Sequence, residues 1–315
     1  MKTLIKSLLA RPLVGRVVAR VLRPLYRLAS WLVRTIPWAV KVTGCRLKVD
    51  GQLLVFPEKT GVMYSTLLYW LGPGGYEYNT WQVIRWAVSR SSSFLDVGSN
   101  IGLYAVLAGR TFPTLVVDAF EPVPSLAEGN RRFHEANGFP SDRVHACAMS
   151  DAPGRARISV PRYEGVAEAE PTASLADNRH LSPGARFEEI EVALETIDGF
   201  LAANPRANPL FIKIDVEGHE ISVLRGAHAT LRERRPLLVV EMLPNPAKNR
   251  EVFDEAEAMG YRLFGLCREG LFAMNAGDFS PPRTFTDFLF VPREVCGPVH
   301  YLPYSELDRL VQATS

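Results

Sequence analysis

Cysteine is scarce in this 315-residue chain: Cys45, Cys147, Cys267 and Cys296 lie far apart and form no CxxC pair. Neither a zinc knuckle nor a disulfide framework is indicated, and reduced thiols in a cytoplasmic compartment fit best. Acidic residues are missing altogether before Asp50, although the first 49 positions hold 11 of the 36 Lys and Arg. No run reaches the roughly 18 apolar residues that span a bilayer. No secretory apolar core follows Met1, because basic residues recur every few positions. Internal repeats and low-complexity tracts are also absent, which excludes solenoids and arrays.

What is present is ordinary globular composition, 47% hydrophobic and 22% charged, enough for one large or two modest domains. The formal net charge of +2 hides an asymmetry, since the chain beyond residue 49 holds 25 basic against 34 acidic side chains. At 100° per residue, Lys2, Arg16, Arg20, Arg23, Arg27 and Arg34 fall within an arc of about 60°. Val14, Val17, Val18, Val21, Leu25, Leu28 and Leu32 lie opposite, and Pro12 and Pro24 start new helices or kink a continuous one. A basic amphipathic helical extension is therefore expected over 1–45. Peripheral contact with a membrane through residues 2–35, on the inner face, is one reading of it. Packing on the protein's own core or on a dimer partner, and a cleaved presequence, are the others; low serine content argues against the last. Nucleic acid is disfavoured, because the body is net negative and the basic residues form one terminal stripe.

Residues 46–56, RLKVDGQLLVF, read as a hairpin turning at Asp50-Gly51 and open a lead-in that runs to residue 92. From Ser93 to the end, strand and helix patterns alternate. Strands are expected at 93–97, 114–120, 144–149, 210–216, 236–242, 261–267 and 286–291, and helices at 101–110, 123–137, 219–234 and 247–259. Near-continuous apolar strands between amphipathic helices indicate an α/β fold whose mainly parallel sheet is covered on both faces. Between 155–161 and 189–194, residues 162–188 are polar and contain Gly and Pro, the composition of a substrate or lid loop.

The first strand runs into Asp96-Val-Gly-Ser-Asn-Ile-Gly102. Gly98 and Gly102 permit a sharp turn and close approach of a ligand, and the helix that follows presents free N–H groups. The spacing is not GxGxxG, and the lysine of a P-loop is missing, so a pyrophosphate cradle is poorly supported. Glu121, at the end of the second strand, is placed to accept hydrogen bonds from both hydroxyls of a ribose. An acidic turn residue, a glycine turn and a ribose carboxylate suit a nucleoside with a cationic amino-acid tail. S-Adenosyl-L-methionine is such a ligand.

The segments FLDVGSNIGLYAVLAGR (94–110), FEPVPSLAEGNRRFHEANG (120–138), VHACAMSDAPG (144–154), LETIDGFL (194–201), FIKIDVEGHEISVLRGA (211–227) and LLVVEMLP (237–244) together resemble the FkbM-type S-adenosylmethionine-dependent methyltransferases. The resemblance runs over about residues 75–292. It implies the Rossmann-like class I methyltransferase fold with seven strands, and methyl transfer, usually to a hydroxyl of a sugar or polyketide-type product. It would place Asp96, Gly98, Ser99, Asn100 and Gly102 at the methionine end of the cofactor. Glu121 and Pro122 would sit at the ribose, Ser150 and Asp151 near the adenine, and Glu77 in an element before the first strand. It says nothing about residues 1–45.

Holding oxygen, methyl carbon and sulfur in line is the main task of such a site, and an alcohol also needs a base. The strand FIKIDV carries Asp215 at its end, with Glu217, Gly218, His219 and Glu220 following. Lys213 shares strand parity with Asp215 and is placed to pair with an acid. In one reading Asp215 or Glu217 orients the acceptor and His219 is the base. In another, Asp215, Glu241 and Asn245 offer oxygen ligands to a divalent metal. In a third, Glu217 and Glu220 only favour a helix start. HEISV is not HExxH, for the second histidine is absent. The function expected is an O-methyltransferase acting on a small molecule, glycan or glycolipid. The alternatives are an amine- or phenol-directed enzyme and a non-catalytic membrane-associated scaffold.

Overall fold

The computed structural model describes residues 41–162, 186–275 and 286–311. Nearly all of the expected basic extension and of the 162–188 loop lies outside the described residues. Strands β1 (Cys45–Val49) and β2 (Gln52–Phe56) form the expected hairpin, with Asp50 and Gly51 both at positive φ. Helices α1 (Val62–Leu71) and α2 (Tyr78–Val88) follow. Then come β3 (Ser93–Val97), α3 (Leu103–Thr111), β4 (Val116–Phe120), α4 (Pro124–Ala136), β5 (Val144–His145), β6 (Ala148–Met149), β7 (Gly154–Arg162) and β8 (Arg186–Glu195). The chain continues through α5 (Ile197–Ala203), β9 (Leu210–Ile214), α6 (Glu220–Arg225), α7 (His228–Glu233), β10 (Leu237–Glu241), α8 (Pro246–Ala258), β11 (Tyr261–Leu266), β12 (Gly270–Ala273), β13 (Asp287–Pro292) and β14 (Tyr301–Pro303).

The central sheet has the order β14-β12-β11-β13-β10-β9-β3-β4-β5. Strands β10, β9, β3, β4 and β5 pair in parallel, while β13 is inserted antiparallel between β10 and β11. Among the described residues this sheet has nine strands where seven are expected, because β12 folds back on β11 and β14 pairs with β12 at the edge. Every residue of β3 and β9 is buried, which requires cover on both faces. Alternate residues supply that cover's two cores. Phe94, Phe211, Val239 and Leu289 pack with Trp81, Ile84 and Leu107 of α2 and α3. Leu95, Ile212, Leu238 and Phe290 pack with Leu224, Leu231 and Phe253 of the helices on the other side.

Three expected elements differ. The 144–149 strand is two: Cys147 N–H bonds back to the His145 carbonyl, and the chain then leaves β4 to pair with β8. The 219–234 helix breaks at Gly226, where a Cβ would lie 1.9 Å from the carbonyl oxygen of Ser150, so the chain yields to that close approach. The segments flanking the polar loop pair as an antiparallel ribbon, β7 with β8, and with β6 they make a separate three-stranded sheet. Among the described residues, no helix is long and apolar enough to cross a membrane.

Asp118 on β4 is fully buried and binds Arg206 through two hydrogen bonds of 2.6 and 2.9 Å, with His145 Nε2 at 3.0 Å. Burial pushes its carboxyl up, but the hydrogen bonds from Arg206 and His145 prevail and hold it below its usual range. A depressed carboxyl stabilises the fold above its unfolded value and loses that contribution as pH falls through the folded one. Asp118→Ala should cost about 2 kcal/mol at pH 7, since the charged hydrogen bonds from Arg206 and His145 are lost. Urea unfolding should show that deficit shrinking below about pH 4.

Candidate functional site

Strand parity that buries Phe94, Phe211, Val239 and Leu289 toward α2 and α3 also turns Asp96, Lys213, Asp215, Glu241 and Asp287 to that side. Register places Asp96 beside Lys213 and Glu241 opposite Asp287. Lys213 is 3% exposed, and its Nζ donates to Asp215 Oδ2 at 2.9 Å while lying 5.3 Å from the centre of the Tyr104 ring. The Tyr104 hydroxyl donates to Glu77 Oε2 at 2.6 Å, so α3 fixes the carboxylate that begins α2.

The turns after β3 and β9 close the site. Gly98 has φ 75°, and a Cβ there would lie 1.7 Å from the Asp215 carbonyl oxygen, so only glycine lets the two turns meet. Gly98 and Ser99 N–H groups donate to the Phe120 carbonyl at 3.0 and 2.9 Å. Glu121 accepts from Asn100 N–H at 3.0 Å and from Val123 N–H at 2.9 Å. Between these turns is a cavity of about 290 Å³ whose lining includes Tyr64, Tyr76, Glu77, Gly98, Asn100, Glu121, Pro122, Asp215, Glu217, His219 and Glu241. Ile158 of β7 closes it from the smaller sheet. Glu77, Asn100 and Glu217 adopt positive φ without being glycine, and all three line this cavity. Such strain persists where the surroundings over-determine it, as at ligand sites.

The cavity is strongly acidic. Burial, then the charges of Asp215 and Glu220, push Glu217 up to about 8. Burial takes Glu121 to about 7 and Asp96 to about 6. Glu77 is raised by burial and Asp215, and Glu241 is raised first by the Asp215 charge and then by burial. Burial disfavours the Lys213 ammonium, yet Asp215 and Asp96 outweigh it and keep the amine charged. His219 is lowered by burial, and its Nε2 lies 2.9 Å from Ser150 Oγ.

Of the residues singled out from sequence, Glu77, Gly98, Asn100, Glu121, Pro122, Asp215, Glu217, His219 and Glu241 meet at the cavity. Asp96, Ser99 and Gly102 lie behind its wall: Asp96 Oδ2 accepts from Ala105 N–H at 3.2 Å, Ser99 Oγ donates to the Phe120 carbonyl, and Gly102 caps α3. Ser150 is buried against His219 and donates to Asp151 Oδ1 at 3.1 Å. Asn245 stands apart from Asp215 and Glu241 in its task, for its Oδ1 caps α8 by accepting from Lys248 N–H. Among the described residues, no group of three His, Cys, Asp or Glu side chains is arranged to hold a metal ion. Tyr104 and Asp287 were not visible as site residues from sequence. Tyr104 occupies an ordinary apolar helix position, and Asp287 is found only once β13 is known to run antiparallel to β10.

S-Adenosylmethionine fits these residues. Among the described residues, five carboxyl groups and no Lys or Arg line the cavity, which suits a cationic sulfonium. Asn100, whose buried Oδ1 has no hydrogen-bond partner, is among the residues that line it. Glu121 and Pro122 would hold the ribose, with Gly98 and Asn100 close to the methionine end.

A family model described as the methyltransferase FkbM domain matches residues 96–263. Methyltransferase 1 of Beauveria bassiana (strain ARSEF 2860) is 27% identical over 208 residues, which is 61% of this chain and 77% of that protein. The 31-O-demethyl-FK506 methyltransferase FkbM of Streptomyces tacrolimicus is 28% identical over 162 residues, 42% of this chain and 57% of that protein. A solved structure of methyltransferase FkbM from Methylobacillus flagellatus KT is 20% identical, covers 64% of this chain and 44% of its own, and has a TM-score of 0.37.

The meeting of turns at Gly98 is testable by comparison with Gly138, which has φ 78° but open space around its missing Cβ. Gly138→Ala should cost about 1 kcal/mol, for backbone strain alone. Gly98→Ala should cost several times more in urea unfolding, because the backbone of Asp215 must move as well.

Proposed function

Because the chain belongs to the FkbM methyltransferase family, we propose that it is an S-adenosylmethionine-dependent O-methyltransferase whose acceptor is a hydroxyl of a saccharide, glycolipid or related natural product. The observation that carries this reading is Asp215, fixed by buried Lys213 in the wall of an acidic cavity where the turns after β3, β4 and β9 converge. When bound, the cofactor supplies an electrophilic methyl carbon on a sulfonium.

The chain's own residues then have three tasks. Asp215 orients the acceptor hydroxyl, with its second oxygen held by Lys213. Glu217, pushed up to about 8, is matched to taking a proton from that hydroxyl near neutral pH. Tyr64, Tyr76 and Met63 give the cavity an apolar side that limits water around the reacting groups. An alcohol keeps its proton at neutral pH and is a weak nucleophile until a base takes it, and such a carboxyl is consistent with hydroxyl transfer. The Streptomyces relative is named for a 31-O-demethyl substrate, and that also supports the reading.

Isotope-labelled cofactor and a crude cell extract as acceptor source provide the test. Label should appear as methyl ether, and Asp215→Ala should lower its rate of incorporation by about 10²- to 10⁴-fold. Glu217→Gln should remove the rise in kcat/KM as pH passes about 8, the value in the free protein, since only the deprotonated carboxylate accepts the proton. Unchanged incorporation by Asp215→Ala would take that residue out of the mechanism, and label confined to amines would redirect the acceptor class.

A further inference from the structure

Residues 60–76 contain no charged side chain, and Met63, Tyr64 and Tyr76 among them line the cavity. Within them, α1 turns Tyr64, Ser65, Thr66, Leu68 and Trp70 inward. Met63, Leu67 and Leu71 recur every four residues and so lie on one stripe of the helix. Met63 is 37% and Leu71 48% exposed, and Leu67 is half-buried. The stripe runs into an exposed Pro73-Gly74 tip, beyond which Tyr78 is 41% exposed. The outward stripe of a globular helix is normally polar. An apolar one that starts at Met63, which also lines the binding cavity, marks a contact surface.

The occupant follows from what is joined to this helix. Ser65 Oγ donates to the Val42 carbonyl at 2.6 Å, and Val42 N–H donates to Thr66 Oγ1 at 2.9 Å, so the chain arriving from the N-terminal side is pinned to α1. The 41 residues before Val42 carry nine basic and no acidic side chains. An apolar face in a chain that also carries dense positive charge is the pair of features that an anionic lipid surface recognises.

We propose that the Met63–Leu67–Leu71 stripe and its Pro73-Gly74 tip are a lipid-contact face that sets the mouth of the methyl-transfer cavity on an anionic bilayer. The acceptor hydroxyl is then borne by a lipid and enters past Met63 and Tyr64 without leaving the interface. This deepens the methyltransferase reading and rests on it for the identity of the cavity.

The full chain with Leu71→Cys, labelled with an environment-sensitive fluorophore, tests the proposal directly. Wild type treated identically corrects for the four native thiols, all half-buried. Vesicles of phosphatidylglycerol mixed with phosphatidylcholine should shift the emission to the blue and raise it roughly twofold or more, and spin-labelled acyl chains should quench it. Pure phosphatidylcholine should do neither. Leu71→Glu should weaken co-sedimentation with the anionic vesicles while calorimetric binding of S-adenosylmethionine stays as in wild type. Unchanged emission from a protein that still co-sediments would overturn the lipid face and leave the basic segment as sole anchor. A blue-shifted label without vesicles, together with a doubled mass by light scattering, would show a second copy on the stripe and equally overturn it. Absence of S-adenosylmethionine binding in every variant would instead count against the enzyme reading, independently of the fluorescence.

Discussion

A buried ammonium surrounded by buried carboxyl groups loses hydration on all sides, and only close ion pairing makes its burial tolerable. Lys213 is in that position, 2.9 Å from Asp215, beside Asp96, and beneath the Tyr104 ring. Its positive charge lowers the pKa of Glu77, Asp96, Glu217, Glu241 and Asp287 alike, so it opposes the mutual repulsion of the whole acidic face. Without that one cation the five acids around Asp215 would retreat further into their protonated forms, and the cavity would lose the charge that suits it to a sulfonium.

The fold serves this arrangement by bringing parallel strands to a common end. Turns after β3, β4 and β9 deliver Gly98, Glu121 and Asp215 to one place, and the missing Cβ of Gly98 lets the first and third of these touch. Ligands in open α/β sheets bind beyond the carboxyl ends of the strands for this reason. The remaining walls come from elsewhere: α1 and the start of α2 on one side, and β7 of the smaller sheet on the other.

Much of this was legible in the sequence because it depends on local pattern. The all-buried strands SFLDV and LFIKI could be read from their apolar runs, and Gly98, Glu121 and Asp215 from their positions at strand ends. The break at Gly226 could not, because its cause is the carbonyl of Ser150, far away in sequence. The split of 144–149 depends on β8 as a competing partner for β6, and Asp287 depends on the antiparallel insertion of β13. Strand partners and close approaches are tertiary facts, and no window along the chain contains them.

The central claim is that this acidic cavity holds S-adenosylmethionine through its positive charge. Calorimetric titration with the cofactor near pH 7, in buffers of different ionisation enthalpy, tests it most directly. Carboxyl groups raised to about 7 and 8 are partly protonated in the free protein, and a bound cation favours their ionised forms. Saturable binding with net release of protons, tightening as pH rises, is the predicted result. Absence of binding, or binding accompanied by proton uptake, would contradict the account.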